Sequence, residues 1–169
     1  MDKSIMGHKS FLIPLEESDL EIVSNWACDP MVCKYYLNHD SMEEAYLEKI
    51  LNNPLEDLRV FMINTVDNVS IGKLSLRILG DGNASVDMVI GEKVYVGKGY
   101  GKDALKAVIK YCFEELDLES IRMVIKEDSV RAESCCYSCG LKEDKYYIPD
   151  EDMGHTTRMV IFRKDYIGY

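Results

Sequence analysis

The chain has no long apolar run. Its apolar stretches reach only a few residues, Met88-Val89-Ile90 among them, whereas a bilayer-spanning helix needs about 20. The opening residues, Met1-Asp2-Lys3-Ser4, also lack the basic segment and apolar stretch of a secretion signal. A cytoplasmic protein is the expectation. Basic residues are in the minority: Lys and Arg number 20 against 30 Asp and Glu, for a net charge of −10. An acidic surface repels nucleic-acid phosphates. It suits a cationic substrate such as a polyamine or a basic peptide, or else serves solubility alone. Linkers, low-complexity segments and internal repeats are absent. Histidines are few; His39 and His155 fall in stretches with no motif and read as surface residues.

What is present suits one globular domain spanning residues 1–169, large enough to bury a core, with 47% hydrophobic and 30% charged residues. Three of the six cysteines, Cys135, Cys136 and Cys139, crowd into five residues. With no secretion signal, reduced thiols are expected. No His or Cys-x-x-Cys partner stands nearby, so no metal site is expected.

Periodicity outlines the elements. Phe11 to Pro14 reads as an opening strand. Ser18-Asp19-Leu20-Glu21 spells a capping box, with a helix to about Ala27, and Ser41-Met42-Glu43-Glu44 repeats it, with a helix to about Asn52. Trp26 is expected to pack in the first helix. The period then changes to strands over Arg59–Thr65, Val69–Ile78 and Ala84–Ile90, with turns at Val66-Asp67-Asn68 and Gly80-Asp81-Gly82-Asn83. A helix follows from near Gly99 to Leu116. Its Leu105, Val108, Ile109, Cys112, Phe113 and Leu116 form one apolar stripe. Ile121–Ile125 reads as a buried strand beside a parallel neighbour. A helix through Ala132 and Cys139 stops at Gly140, and strands over Lys142–Ile148 and Thr156–Arg163 complete the pattern. The expected fold is α/β: one mixed sheet in the order β-α-α-β-β-β-α-β-α-β-β, with helices on both faces.

The chemistry concentrates between the third meander strand and the long helix, at Val96-Gly97-Lys98-Gly99-Tyr100-Gly101-Lys102. The first turn of a helix leaves N–H groups without partners, and the helix dipole makes that end positive. Glycines at 97, 99 and 101 remove side chains that would block a phosphate, and Lys98 and Lys102 add positive charge. The spelling fits neither a Walker loop nor a dinucleotide-binding fingerprint.

It does resemble the (Gln/Arg)-x-x-Gly-x-(Gly/Ala) signature of the GNAT N-acetyltransferases, with Gly99 and Gly101 as its glycines and Val96 in place of the Gln or Arg. Ile71-Gly72-Lys73-Leu74, Val89-Ile90-Gly91-Glu92-Lys93 and the stretch from Arg131-Ala132 to Cys139-Gly140-Leu141 extend the likeness. The version here is most similar to the branch with ribosomal-protein N-terminal acetyltransferases.

The resemblance implies acetyl-coenzyme A as cosubstrate and no metal. Gly97, Lys98, Gly99, Tyr100, Gly101 and Lys102 would then hold the pyrophosphate. Val89, Ile90 and Gly91 would pair with the pantetheine arm between two splayed strands, and a backbone N–H at Val89 or Ile90 would polarise the thioester carbonyl. Ser129 falls where the family often has a pantetheine-binding Asn. Cys136 falls where it often has a Tyr that protonates the leaving thiolate, and Tyr137 is one position beyond.

Acetylating an amine requires removing a proton from an ammonium of pKa near 10.4. Asp87, in an otherwise apolar strand, is the candidate base; a charge on a solvated strand face is the competing reading. Glu92 and Glu127 are reserves. Cys136 and Tyr137 are the candidate acids, but the helical spacing of Cys136 with Ala132 and Cys139 favours ordinary core, and Tyr137 reads equally as a surface residue. The implied reaction is transfer to a primary amine by direct attack in a ternary complex. A catalytically degenerate acetyl-coenzyme A sensor and a nucleotide binder are the alternatives. Specificity would reside in Ala27–Asn53 and Tyr146–Met153, and the last two strands with the tyrosines at 146, 147, 166 and 169 suit either a homodimer interface or the cover of one core.

Overall fold

The computed structural model describes residues 3–34 and 43–169. Its strands are β1 (Ile5–Met6), β2 (Ser10–Pro14), β3 (Leu58–Thr65), β4 (Ser70–Ile78), β5 (Asn83–Ile90), β6 (Ser120–Lys126), β7 (Lys142–Glu143) and β8 (Thr156–Phe162). The helices are α1 (Leu20–Cys28), α2 (Pro30–Cys33), α3 (Glu43–Asn52), α4 (Tyr100–Glu114) and α5 (Val130–Ser138). All eight strands form one sheet in the order β1-β2-β3-β4-β5-β6-β8-β7. Neighbours are antiparallel except β5 and β6.

Two apolar layers hold the sheet. The α4 stripe of Leu105, Val108, Ile109, Cys112 and Phe113 is fully buried against Leu74, Leu76, Val86 and Ile121, and Cys136 and Cys139 of α5 join the same layer. On the other face Leu20, Val23 and Trp26 of α1 and Leu47 of α3 meet Val60 and Met62 of β3. Each such side chain contributes about 1.5–3 kcal/mol on leaving water. Alternation along β3 to β5 sends successive residues to opposite layers, which is why one sheet carries helices on both sides.

Three local expectations need correction. The cap before α1 is not Ser18: the Glu16 N–H donates to Asp19 Oδ2 at 2.9 Å, one short 3-10 turn earlier. The strand expected over Lys142–Ile148 stops at Glu143, because the Asp144 carboxylate turns back to take Arg158 Nε and Nη2 at 2.8 and 2.6 Å. The elements β1 and α2 were not legible in the sequence: β1 is two residues long, and α2 is a four-residue turn opened by Pro30. The second capping box and His39 lie in whole or part outside the described residues. Among the described residues, no helix is long and apolar enough to cross a membrane.

Candidate active site

The site begins where β5 and β6 part. Their parallel pairing covers only Asn83–Ser85 against Ser120–Arg122. Beyond it β5 continues to Ile90 and β6 to Lys126 unpaired with each other, β6 being paired along its other edge with β8 throughout. The Gly91 N–H donates to Ile71 O at 2.8 Å, flanking the pair Gly72–Ile90. That makes Gly72–Ile90 a non-hydrogen-bonded pair, so Ile90, and Met88 two residues earlier, turn their backbone N–H and C=O away from β4 and into the gap. Val89 and Gly91 turn theirs to β4. Of the three residues expected to pair with an extended ligand, Ile90 alone presents its backbone. Met88, which the sequence reading passed over, is the second.

Gly91 has another task. A Cβ there would lie 2.1 Å from the Trp26 ring, so glycine is what lets the indole lie flat on the backbone. Trp26 is buried as expected, and its Nε1–H donates to Glu92 Oε1 at 2.8 Å. The reserve base Glu92 is thereby engaged. Glu127, the other reserve, faces His155 at 3.6 Å on the exposed surface.

After β5 a short turn leads into the glycine loop. Gly97 and Gly99 have φ of 75° and 84°, a region where side chains are strained. Gly101 is helical, and a Cβ there would meet Met88 and Ile90 only at ordinary distances. Gly99 opens α4 and accepts the Asp103 N–H at 3.0 Å. Among the described residues, no backbone carbonyl takes the N–H groups of Tyr100, Gly101 and Lys102. These first-turn donors, at the positive end of a helix of 15 residues, form an anion cradle.

The cradle is held from behind by residues that no local pattern announced. Asp103 sits on the first turn of α4 with its carboxylate directed into the β1–β2 hairpin. It accepts the N–H groups of His8, Lys9 and Ser10 at 3.0–3.1 Å and the Ser10 hydroxyl at 2.7 Å. Burial works to raise its pKa, but these donors, Ser10 Oγ foremost, outweigh burial and hold it below the ordinary 3.8. Lys9 Nζ donates to Lys98 O at 2.7 Å and lies 4.2 Å from the Tyr100 ring centroid. Tyr100 in turn meets Tyr95 edge-on at 5.4 Å. The Lys98 carbonyl and the Tyr100 ring thus tie the loop to Lys9 from outside, and neither residue lines the cavity.

That cavity, of ≈ 440 Å³, runs from the cradle to the gap between β5 and β6. Val89, Ile90, Gly97, Gly99, Gly101, Lys102 and Ser129 of the expected set line it. Lys93 and Arg131 add positive charge, and Met31 and Val32 of α2 close one wall. α2 is pinned there by two bonds. Asp29, its N-cap, takes Lys93 Nζ at 2.8 Å, and that bond, with the Met31 N–H, lowers the Asp29 pKa. Lys126, at the end of β6, donates to Lys34 O at 2.9 Å. The short helix therefore spans the mouth of the splayed strands.

The candidate acids do not reach the cavity. Cys136 is fully buried, with its Sγ 3.8 Å from Met123 Sδ, and burial pushes its thiol up to about 12. Tyr137 is half-exposed and lies outside the lining. Successive helix residues differ by about 100°, and it is Cys135 that faces the cavity. Its thiol hydrogen-bonds to Cys139, which raises the Cys135 pKa and, before the smaller effects of Lys106 and Lys102, lowers that of Cys139. Asp87 is half-buried opposite Ser75, on the α1–α3 side of β5 and two residues before the cavity-lining Val89.

Comparison with known proteins agrees with this arrangement. The acetyltransferase (GNAT) domain family matches residues 10–142. No curated protein matches the sequence. Among solved structures, a GNAT-family acetyltransferase from Bacillus anthracis superposes with a TM-score of 0.79 at 18% identity, over 96% of this chain and 99% of that one. A spermidine N-acetyltransferase from Vibrio cholerae, in complex with CoA and spermine, gives 0.74 at 22% identity, over 95% and 99%. An aminoglycoside acetyltransferase in complex with coenzyme A gives 0.76 at 18% identity, over 92% and 96%. With its parted strands, its glycine cradle and this match over most of its length, the chain belongs to the GNAT acetyltransferase family.

Proposed function

We propose that the protein transfers an acetyl group from acetyl-coenzyme A to a primary amine by direct attack in a ternary complex. The observation that carries the reading is the continuity of cradle and gap: free first-turn N–H groups of α4 open into the same cavity as the outward-turned backbone of Ile90. The cradle fits a pyrophosphate, with Lys102 and Arg131 adding charge. The Met88 and Ile90 backbone fits the amide groups of a pantetheine arm, with Ser129 alongside. An N–H from this pair, aimed where a carbonyl oxygen gains charge, stabilises the transition state. Positioning two reactants in one gap supplies a further share, about 7–11 kcal/mol in favourable cases.

Asp87 is the proposed base, acting from the acceptor side of β5 and, from its place beside the cavity rather than in it, through water. No α5 side chain is needed as acid. A thiolate with a parent pKa near 8.5 leaves far more readily than an alkoxide and takes its proton from solvent. Candidate acceptors are a polyamine, a small amine such as an aminoglycoside, or a protein N-terminus. The spermidine and aminoglycoside enzymes among the similar folds support the first two, and the acidic net charge of −10 suits any cation.

The test is calorimetry with acetyl-CoA, CoA and ATP, followed by an amine panel. Tight acetyl-CoA binding without ATP binding, and turnover with one amine class, supports the reading. Acetyl-CoA binding with no turnover on any amine favours the sensor alternative. No CoA binding at all removes the acetyltransferase reading.

A further inference from the structure

The chain as a whole is acidic, but the sheet face that carries Asp87 is basic. Every charged side chain of β4, β5, β6 and β8 lies on the α1–α3 face: Lys73, Arg77, Arg122, Lys126 and Arg158, with Asp87 as the one acid. The pairs Lys73–Val89, Ser75–Asp87, Arg77–Ser85, Ser85–Arg122 and Val124–Arg158 place them together, because residues directly opposed across a ladder share a face. Charges beyond about 10 Å are largely screened by salt. The net charge of −10 is therefore a poor guide to what this face attracts.

Four of these cations have partners. Arg77 donates to Asp57 Oδ2 at 2.9 Å, and Lys126 to Lys34 O at 2.9 Å. Arg158 donates to Asp144 Oδ2 from Nε and Nη2, and its guanidinium lies 4.8 Å from the Tyr147 ring centroid. Lys73 is buried with a partner of its own. Arg122 is the exception: among the described residues its guanidinium has no hydrogen bond and no ion pair. Burial works to raise the Asp144 pKa, the Arg158 bonds foremost outweigh it, and Arg122 adds to the lowering only through space.

The place of Arg122 gives that free guanidinium a meaning. Ser85–Arg122 is the last pair of the parallel ladder before β5 and β6 part, so Arg122 stands at the floor of the gap on the side of the proposed base. Asp87 is two residues further along β5. At about 3.3 Å per residue and about 4.8 Å between strands, the two Cα atoms are about 8 Å apart. Arg122 is half-buried, and a partly desolvated charge with five N–H donors and no acceptor is unfavourable until an anion meets it. A carboxylate matches the guanidinium fork with two parallel bonds.

We propose that the acceptor is a primary amine that also bears a carboxylate, as an amino acid or an acidic peptide N-terminus does, and that Arg122 holds the carboxylate while the amine lies toward Asp87. This rests on the acetyltransferase reading and narrows it. A polyamine, which carries cations alone, is repelled by Arg122 and has only Asp87 to attract it.

The experiment measures acetyl transfer to matched acceptors: amino acids and short acidic peptides, the same molecules with their carboxylates converted to carboxamides, and spermidine. The wild-type chain is compared with Arg122→Ala and Arg122→Lys, and calorimetry with acetyl-CoA runs alongside. In the wild type, kcat/KM for the carboxylate form should exceed that for the carboxamide by about 10–100-fold, the scale of hydrogen bonds to charged groups. In Arg122→Ala the ratio should fall toward one, chiefly through a higher KM for the acid, with acetyl-CoA affinity retained. Arg122→Lys keeps the charge without the fork and should recover part of the ratio. Turnover of free amino acids or of acidic peptides identifies which source supplies the carboxylate. If spermidine or the carboxamides are acetylated as well as the acids, or the ratio survives in Arg122→Ala, this proposal falls and the acetyltransferase reading stands. If no amine is acetylated, both fall.

Discussion

Single residues in this fold carry separable tasks, and substitution tells them apart. Gly99 combines φ of 84° with a place at the mouth of the cradle. Gly99→Asp adds a strained backbone and a negative charge where phosphate is expected, so acetyl-CoA affinity should be lost in calorimetry while the far-ultraviolet spectrum is unchanged. Asp87→Asn removes the proposed base. Loss of about 10²–10⁴-fold in kcat/KM is expected at neutral pH, with acetyl-CoA affinity retained; an unchanged rate returns Asp87 to an ordinary strand carboxylate. Asp103 tests structure instead. Its pKa is depressed in the folded chain, so its stabilisation is present above the unfolded value, about 3.9, and is lost as pH falls through the folded one. Asp103→Asn should therefore lower stability at neutral pH and flatten its fall on acidification below about pH 4, read by denaturant unfolding at several pH values. Asp87 was legible as an oddity of its own strand. Asp103 was not, because its partners are Ser10, Lys9 and His8, more than 90 positions away.

At the scale of elements, the site is an agreement among pieces that are short where they matter. α4 announced itself by its stripe and its glycines, and the structure keeps it within two residues of the expected bounds. α2 could not be read: four residues have no period, and their place is set by Lys93 from the turn after β5 and Lys126 from the end of β6. The register of α5 is the instructive case. Similarity placed Cys136 in a chemical role, but the pattern Cys136, Cys139, Leu141 is the one the core takes, and a rotation of about 100° gives the cavity to Cys135. The seating of α1 on the end of β5 offers a direct test. Gly91→Ala puts a methyl group 2.1 Å from the Trp26 ring, and overpacking of this kind costs about 1–3 kcal/mol. A lower melting temperature and altered tryptophan fluorescence are expected; an unperturbed indole would mean that α1 moves away without resistance.

For the whole molecule, binding and folding are linked. Cradle, gap and cavity exist only when β5, α4, β6 and α5 are assembled, so a ligand of the site binds the folded chain alone. At a hundredfold excess over its Kd, acetyl-CoA should add about 2.7 kcal/mol, and at about 2–4 °C per kcal/mol for a chain of this size the melting temperature should rise about 5–11 °C. ATP at the same concentration should leave it unmoved, and an equal shift with ATP would mean that the cradle recognises phosphate without the pantetheine arm. The sequence by itself determined the α/β class, the order of the long elements, the apolar faces and the glycine cradle. All of these are set by local period, turn chemistry and helix-end electrostatics. Only the tertiary structure decided which backbone groups face the gap, which α5 thiol meets the cavity, and that Lys9, Asp103 and α2 complete the site. Those outcomes depend on strand register, helix rotation and contacts between distant residues, and no local pattern encodes them.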